Sequence, residues 1–228
     1  MQGIILIAFG KDYAKLAIEN INYSKQFHSL PYCILTNVKG IPDSIYFDLP
    51  QSENRDIKTR MNEFTPFDTT YYMDVDAIIQ KPLPNLSFET DLQLNQLLYW
   101  GVNDKVLRIY KRTMDKFNVG LPLTVFNGGF IGFKQNKRVK KFFERWNRYW
   151  ATMGKGREMP SLACAIKNAE ISVTTLEKGI FEPECKNINA VIQHDYGTGF
   201  WKDFNLTKPK PFKPFDTDPK DWSWTQFT

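Results

Sequence analysis

Two aspartates interrupt an apolar segment of the chain. Asp74 and Asp76 stand inside YYMDVDAII, residues 71–79, whose other side chains suit a buried strand. An ionised carboxylate is very costly to bury without a partner. Either the strand ends here and both acids are solvated, or the two carboxylates hold a cation. Carboxylate oxygens suit Mg²⁺ or Mn²⁺, and Mg²⁺ usually keeps coordination positions open for substrate phosphates.

A histidine far along the chain offers a third ligand. His194 ends an apolar stretch in QHDYGTGFW, residues 193–201, and imidazole ligates ions of the manganese class. Gly197 and Gly199 follow it and would let the backbone approach a ligand closely. The alternative is an ordinary core histidine. The other histidine, His28, is predicted on the first helix, with a surface role.

The scaffold that must bring these residues together is predicted to be an α/β fold. Strands are predicted at residues 4–9, 32–35, 45–49, 69–75, 124–133, 171–175 and 190–193, and helices at 13–27, 139–150 and after Pro160. Strands that alternate with helices favour a mostly parallel central sheet flanked by helices. Ligands of such sheets bind beyond the carboxyl ends of the strands, which is where the acid pair stands.

One domain and a distinct C-terminal segment are expected. With 228 residues, of which 42% are hydrophobic, the chain can build one sizeable core, and we assign residues 1–204 to it. Residues 205–228 are rich in proline, aromatic and charged residues, which excludes a regular helix or a central strand. They are predicted to be a tail that packs on the domain, and a disordered linker is the alternative.

Composition and charge indicate the cellular compartment of the protein and the kind of ligand it can bind. The three cysteines are far apart and show neither metal spacing nor a disulfide framework, which favours a reducing, cytoplasmic compartment. The apolar opening is predicted to be a strand and not a signal peptide. No apolar run is long enough to span a bilayer. The net charge of +5 suits an anionic ligand but is too small to indicate nucleic acid.

Four motifs in order resemble the GT-A-fold glycosyltransferases, and most closely those related to glycosyltransferase family eight. The motifs are IAFGKDYAKLAIENINYSKQ, YYMDVDAI, FNGGFIGF with the helix that follows it, and HDYGTGFW, and they extend roughly from residue 4 to 201. The resemblance implies a GT-A (Rossmann-like) fold and transfer of a sugar from a nucleotide-diphosphate donor, with a UDP-sugar as the default. It also implies a divalent cofactor, Mn²⁺ or Mg²⁺.

The resemblance also implies roles for individual residues. It makes Asp74, Asp76 and His194 the metal ligands. Further contacts with the donor are implied for Ala8, Phe9, Gly10, Asp12, Tyr13, Lys58, Arg60, Val75, Asn127, Gly128, Gly129, Gly197 and Lys202. Phe200 departs from the motif, which has lysine or proline there, and Lys202 stands two positions later.

Several of these residues have an alternative structural role. Lys58, Arg60 and Lys202 would stabilise the leaving diphosphate or be ordinary surface charges. Tyr13 would stack on the nucleotide base or pack in the core. Asp12 would accept a hydrogen bond from the base or cap the helix.

Three residues are implied in the chemistry of the sugar. They are Glu158, Asp76 and Asn127. Glu158 would face the donor sugar, or its charge would complement a helix N-terminus. Asn127, together with Gly128 and Gly129, would meet the sugar or the acceptor, or the two glycines would mark a bulge.

The sequence says least about the acceptor that would receive the sugar. A predicted helix across residues 134–148 carries seven basic residues and one acid. It is either a solvated helix face or a surface for a phosphate-rich acceptor. That acceptor would be a glycan such as a lipopolysaccharide core, or a modified base in phage DNA, which would place the protein in a bacterium or a phage-infected host cell. Two other functions remain open: a sugar-phosphate nucleotidyltransferase, although AFGKDY lacks the glycine-rich segment of that class, and an inactive nucleotide-sugar-binding module.

Overall fold

A computed structural model describes residues 1–97, 104–182 and 189–194 of the chain. In chain order, its elements are β1 (Gln2–Ala8), α1 (Lys11–Ser24), β2 (Tyr32–Thr36), β3 (Ser44–Tyr46), α2 (Asn54–Thr59), β4 (Thr69–Met73), β5 (Ala77–Ile79), β6 (Leu92–Gln96), α3 (Asp104–Lys116), β7 (Phe126–Lys134), α4 (Lys137–Thr152), α5 (Met159–Lys167), β8 (Val173–Thr175), β9 (Phe181–Glu182) and β10 (Ile192–His194). Short 3₁₀ turns flank α2 on both sides.

A seven-stranded sheet forms the centre of the molecule, in the order β3-β2-β1-β4-β7-β6-β8. Its pairs are parallel, apart from the two that β7 makes with β4 and β6. The predicted mostly parallel α/β sheet is therefore confirmed. The pairing of Leu6 with Met73, and of Ala8 with Thr36, brings the carboxyl ends of β1, β2 and β4 to one edge.

Helices cover both faces of this sheet because its strands are apolar on both sides. Ile4 and Leu6 of β1 pack with α1, whereas Ile5 packs in a second cluster with α2, α4 and α5. The largest buried side chains of α4, Trp146 and Trp150, lie on the second face. The sheet thus sits between two apolar layers, and its edge at the carboxyl ends of the parallel strands carries the site.

A second, three-stranded sheet in the order β5-β10-β9 lies beside this edge. Ala77 of β5 pairs with His194 of β10 across an antiparallel ladder. Neither β5 nor this sheet is predicted from the sequence, which places a single strand across residues 69–75. In the structure β4 ends at Met73, so Asp74 and Asp76 lie in a turn rather than along a strand.

Other expectations are corrected at element boundaries. α1 ends at Ser24, so His28 lies after the helix, and its ring Nε2 is 2.8 Å from the Tyr32 hydroxyl. Lys134 belongs to β7, and the basic helix begins only at Lys137. The sequence pattern also misses β6, α3 and β9.

The proposed tail at residues 205–228, and with it the boundary at residue 204, lies outside the described residues. No helix in the described part of the chain is long and apolar enough to cross a membrane.

Candidate functional site

The acid pair is presented by a tight turn between β4 and β5. The N–H of Asp74 donates to the Gly129 carbonyl at 3.0 Å, and the N–H of Ala77 closes the turn on the Asp74 carbonyl at 2.9 Å. The turn places Asp74 and Asp76 at the sheet edge with both side chains only partly buried. Their convergence therefore comes from the turn, and not from the alternation of an extended strand.

A buried amide on α1 holds this turn in place. The Asn20 side-chain nitrogen donates to the carbonyls of Val75 and Ala77, at 3.0 and 2.8 Å. Its oxygen accepts from the Ser24 hydroxyl, which in turn accepts from the N–H of Ile79. Sequence reasoning missed this network, although a polar residue on the apolar face of α1 was a readable signal.

His194 completes the group from the end of β10. Its Nε2 lies 3.0 Å from Oδ1 of Asp76 and 3.4 Å from Oδ2 of Asp74. Burial lowers the pKa of His194, but the carboxylates of Asp76 and Asp74 outweigh burial and raise this pKa to about 10. A proton therefore occupies the position between the imidazole and the acids at neutral pH, and a metal ion bound there would displace it.

The geometry of this group fits a divalent ion. One ligand atom each from Asp74, Asp76 and His194 lies within 4.8 Å of the other two. Two ligands of one ion with bonds of about 2.1 Å are about 3 to 4 Å apart. Two carboxylates and one imidazole suit Mn²⁺ and also admit Mg²⁺. Two acids and an imidazole at this spacing can therefore ligate a single ion.

Gly129 leaves the space that the imidazole needs. A Cβ on Gly129 would lie 2.8 Å from Cε1 of His194 and 2.8 Å from Oδ1 of Asn127. The Asn127 oxygen accepts from the Gly129 N–H at 2.6 Å. The β6–β7 register also shifts here, since Leu94 pairs with Ile131 but Asn95 pairs with Asn127. The register shift is the irregularity that the sequence offered as the alternative for the glycine pair. The close approach of Gly129 to the His194 ring was not foreseen, and contact of these residues with the sugar or the acceptor stays a prediction.

Lys58 links the turn at residues 74–77, here called the acid turn, to a third carboxylate. Its Nζ lies 3.0 Å from Oδ1 of Asp74 and 3.0 Å from Oε1 of Glu158. The Tyr72 hydroxyl donates to the same oxygen of Asp74, and Lys58 Nζ lies 5.0 Å from the centre of the Tyr72 ring. The other oxygen of Asp74 is thereby turned towards His194.

The charges of this cluster hold one another in their ionised forms. Burial lowers the pKa of Lys58, but Asp74 and Glu158 outweigh it and hold this pKa well above its usual value. Burial raises the pKa of Asp74, but Lys58 and His194 hold it well below its usual range. The pKa of Glu158 is likewise raised by burial and, on balance, lowered by Lys58 and Arg55. Glu158 is therefore a carboxylate at neutral pH and not a proton donor.

Two tryptophans of α4 fix the loop that carries Glu158. Trp146 Nε1 donates to the Glu158 carbonyl at 3.2 Å, and Trp150 Nε1 donates to the Gly156 carbonyl at 2.9 Å. Glu158 is the N-cap residue of α5 but makes no side-chain cap hydrogen bond. Its carboxylate instead points to Lys58 and to Arg55, whose Nε is 3.5 Å away.

These side chains line a cavity of about 200 Å³. The lining residues come from β1, α1, α2, β4 and the acid turn, and from the N-cap of α5: Ile7, Phe9, Tyr13, Asn54, Arg55, Lys58, Tyr72, Asp74, Val75, Asp76 and Glu158. Sequence reasoning missed Asn54, Arg55 and Tyr72. Asn54 and Arg55 lie within a polar segment whose sequence shows no hydrophobic periodicity that could have predicted the buried side of a helix.

The first loop lies beside this cavity. Gly10 has a φ of 97°, which only glycine adopts readily, and its N–H donates to Oδ1 of Asn37 at 2.7 Å. Tyr13 is half-buried and faces the cavity, while Ala8 lies in the core. Asp12 is exposed in the first turn of α1 and does not cap the helix.

Seven of the residues implied by the resemblance line the cavity: Phe9, Tyr13, Lys58, Asp74, Val75, Asp76 and Glu158. Apart from Arg60, seven others are described but are not among its lining residues, namely Ala8, Gly10, Asp12, Asn127, Gly128, Gly129 and His194, of which His194 meets the two aspartates beside the cavity. Arg60 pairs with Asp56 and Glu63 on its own segment and is not among the lining residues. Gly197 and Lys202 lie outside the described residues.

Asn20 provides a direct test of how the acid turn is positioned. We expect Asn20→Ala to weaken Mn²⁺ binding about 10- to 100-fold, as substitutions behind metal ligands do, and to lower the free energy of unfolding by about 1–3 kcal/mol. Calorimetric titration with Mn²⁺ and urea denaturation measure the two effects.

Asn136→Ala is the matched control, because Asn136 caps α4 at the opposite edge of the sheet. Loss of the Asn136 cap should lower the free energy of unfolding by about 1 kcal/mol, and it should leave the affinity for Mn²⁺ unchanged. Equal metal affinities for Asn20→Ala and Asn136→Ala would show that the α1 network does not position the ligands.

Comparison with known proteins shows the fold. No protein-family model matches the sequence, and no curated protein sequence matches it. Among solved structures, the chain is similar to the galactosyltransferase LgtC in complex with donor and acceptor sugar analogues, with a TM-score of 0.60 and 12% identity over 92% of this chain and 98% of that one. An active-site variant of LgtC gives a TM-score of 0.59 and 11% identity over the same shares. The expected GT-A, Rossmann-like fold is therefore confirmed.

Proposed function

We propose that this protein is a metal-dependent glycosyltransferase, which moves a sugar from a nucleotide-diphosphate donor, a UDP-sugar, to a hydroxyl acceptor. The observation that carries the proposal is the meeting of Asp74, Asp76 and His194 beside a charged cavity that the two aspartates help to line. The similarity to the galactosyltransferase LgtC supports it.

The charges of the cavity match the reaction. Breaking the bond between the anomeric carbon and the diphosphate leaves negative charge on the phosphate and makes the sugar cation-like. Asp74, Asp76 and His194 would hold a Mn²⁺ or Mg²⁺ ion, which would supply positive charge where the diphosphate leaves. Lys58 is fixed beside this position by two carboxylates and adds a second positive charge.

The remaining lining residues would orient the donor. Glu158 is ionised and lies opposite the acid turn across Lys58, so its carboxylate would face the cation-like sugar and accept from sugar hydroxyls. Tyr13 offers an aromatic face for the base, and the Gly10 turn brings backbone close to the nucleotide. A Cβ on Gly129 would lie beside His194, and one on Gly128 would lie beside Glu158, so this part of β7 passes both groups. The sugar and the acceptor would meet Asn127, Gly128 and Gly129 there.

The proposal is tested by calorimetric titration of the protein with UDP, with and without Mn²⁺, followed by a screen of nucleotide sugars for metal-dependent hydrolysis. We expect UDP to bind only with the metal, and one sugar donor to be hydrolysed. Absence of UDP binding under both conditions would contradict the proposal. A nucleotidyltransferase would instead release pyrophosphate from a nucleoside triphosphate and a sugar phosphate, and an inactive module would bind UDP without hydrolysing any donor.

A further inference from the structure

The positive charge of the chain is concentrated on two helices. α3 contains five basic and two acidic residues, and α4 contains six basic and one acidic residue, which gives the pair a net charge of +8. The whole chain carries +5, so all other residues together carry −3. The modest net charge therefore conceals a strongly basic region.

Both helices lie on the same face of the central sheet. α5 packs against α3 and against α4, and the buried residues of all three belong to one apolar cluster. Where α3 ends, the Phe117 ring stacks on the Tyr149 ring of α4 at 3.7 Å between centroids. The two basic helices thus both pack on α5 on one face of the sheet, and their exposed sides are here together called the α3–α4 face.

The cations of α4 form a row that is open to solvent. Lys137, Lys140, Lys141 and Arg148 are exposed, and their spacing places them on one side of the helix. The row spans about 16 Å at 1.5 Å per residue. Arg138 does not belong to it, because its guanidinium makes two hydrogen bonds of 2.9 Å to Asp91. α3 adds the exposed Arg108, Lys111 and Lys116.

This row leads from the far edge of the sheet to the candidate site. α4 begins after β7 has reached the edge opposite the acid turn, and it ends in the loop that carries Glu158. Lys155 and Arg157 of that loop are exposed, and Lys155 Nζ lies 3.9 Å from Oε2 of Glu53, so basic residues continue along the loop that leads to Glu158. The indoles of Trp146 and Trp150 tie the loop to the helix.

We propose that the α3–α4 face binds the phosphate backbone of duplex DNA and holds the DNA beside the cavity as the acceptor. Because the four standard bases carry no hydroxyl group, the acceptor hydroxyl would belong to a modified base. As an assignment of the acceptor, this rests on the proposed function. Regularly spaced phosphates suit a row of cations. A membrane surface is disfavoured, because the large apolar side chains exposed in the described part of the chain, Met1, Tyr46, Leu49 and Leu121, lie outside both helices and a membrane-bound amphipathic helix buries its apolar face in lipid.

The proposal is tested by fluorescence anisotropy of a labelled duplex titrated with the protein at several salt concentrations. The test variant combines Lys137→Gln, Lys140→Gln, Lys141→Gln and Arg148→Gln. The matched control removes four exposed lysines elsewhere: Lys15→Gln, Lys25→Gln, Lys39→Gln and Lys178→Gln. Both variants lose four positive charges, so only the position of the charges differs.

We expect the α4 variant to lose affinity for the duplex at least about tenfold, and the slope of log K against log salt to fall by up to about 3–4, since each phosphate contact contributes about 0.9. The control should change affinity less than about twofold. Equal losses in both variants, no binding by the unmodified protein at low salt, or preferential binding to vesicles of anionic phospholipid would each overturn the proposal.

The test also separates this inference from the proposed function. UDP binding in the presence of Mn²⁺ is measured on the same samples and should be the same in the α4 variant, because the four side chains are not among the lining residues of the cavity. Salt-dependent binding of DNA without any metal-dependent binding of UDP would leave the α3–α4 face standing and refute the transferase. Metal-dependent hydrolysis of a donor without DNA binding would support the transferase and refute the proposed role of the α3–α4 face.

Discussion

Replacing Asp76 by asparagine is expected to lower metal-dependent turnover of the donor at least about 100-fold, since the amide removes one of two anionic ligands and the charge that binds the ion. The same change removes the negative charge that faces the His194 imidazole at 3.0 Å, although the amide oxygen can still accept a hydrogen bond. Because about a third of the Asp76 side chain is exposed, at 35%, we expect stability to change by less than about 1 kcal/mol. Hydrolysis rates across a Mn²⁺ series and urea denaturation measure these effects.

An aspartate outside the cavity supplies the control for Asp76→Asn. Asp48 is exposed and accepts only from the Tyr46 hydroxyl among the hydrogen bonds of the described residues. Asp48→Asn changes the same functional group without touching the site, and it should keep full turnover and full metal affinity. If Asp76→Asn turned over donor as fast as the unmodified protein, the metal mechanism would have to be abandoned.

Replacing Lys58 by methionine is expected to give the largest loss of stability. Methionine keeps most of the side-chain volume but leaves Asp74 and Glu158 without their shared counter-ion. Removal of one partner from a buried ion pair costs about 3–5 kcal/mol. The Asp74 side chain is 25% exposed and Glu158 is 13% exposed, so water can relieve part of the penalty, and we expect about 3 kcal/mol. Urea denaturation at neutral pH gives this value.

A double substitution separates charge from packing in this cluster. In Lys58→Met with Glu158→Gln, one of the two stranded carboxylates is neutral, so part of the lost stability should return. Turnover should stay low, because the charge beside the leaving diphosphate is still missing. A single Lys58→Met variant as stable as the unmodified protein would mean that the three groups are solvated and do not form a buried cluster.

The same ion pairs predict how the Lys58→Met penalty depends on pH. The pKa values of Asp74 and Glu158 are lowered on folding, so their contribution to stability is present above the unfolded value near 4 and is lost as the pH falls. The pKa of Lys58 is raised, so its contribution is present below about 10 and is lost at higher pH. The difference in unfolding free energy between the two proteins should therefore be constant from about pH 5 to 10 and shrink below pH 4.

The local pattern of apolar residues in the sequence was sufficient to predict the fold class. Apolar runs such as residues 4–9 are buried on both faces of the sheet, and the apolar spacing of α4 marks its buried side. Such patterns depend on side-chain periodicity within one element, which a single segment carries by itself. The short strands β5 and β9, with three and two residues, carry too little periodicity to be recognised.

The sequence alone determined which chemistry was available: an acid pair after an apolar strand, a histidine late in the chain and a carboxylate before a proline-started helix. Only the tertiary structure decided that these groups meet. β10 pairs with β5 and brings His194 to Asp76 across 118 positions of the chain, and Lys58 joins Asp74 to Glu158 across 100 positions. The physical reason is that local spacing sets the conformation of each element, whereas the meeting of distant side chains depends on which strands pair and on the register that buries the core.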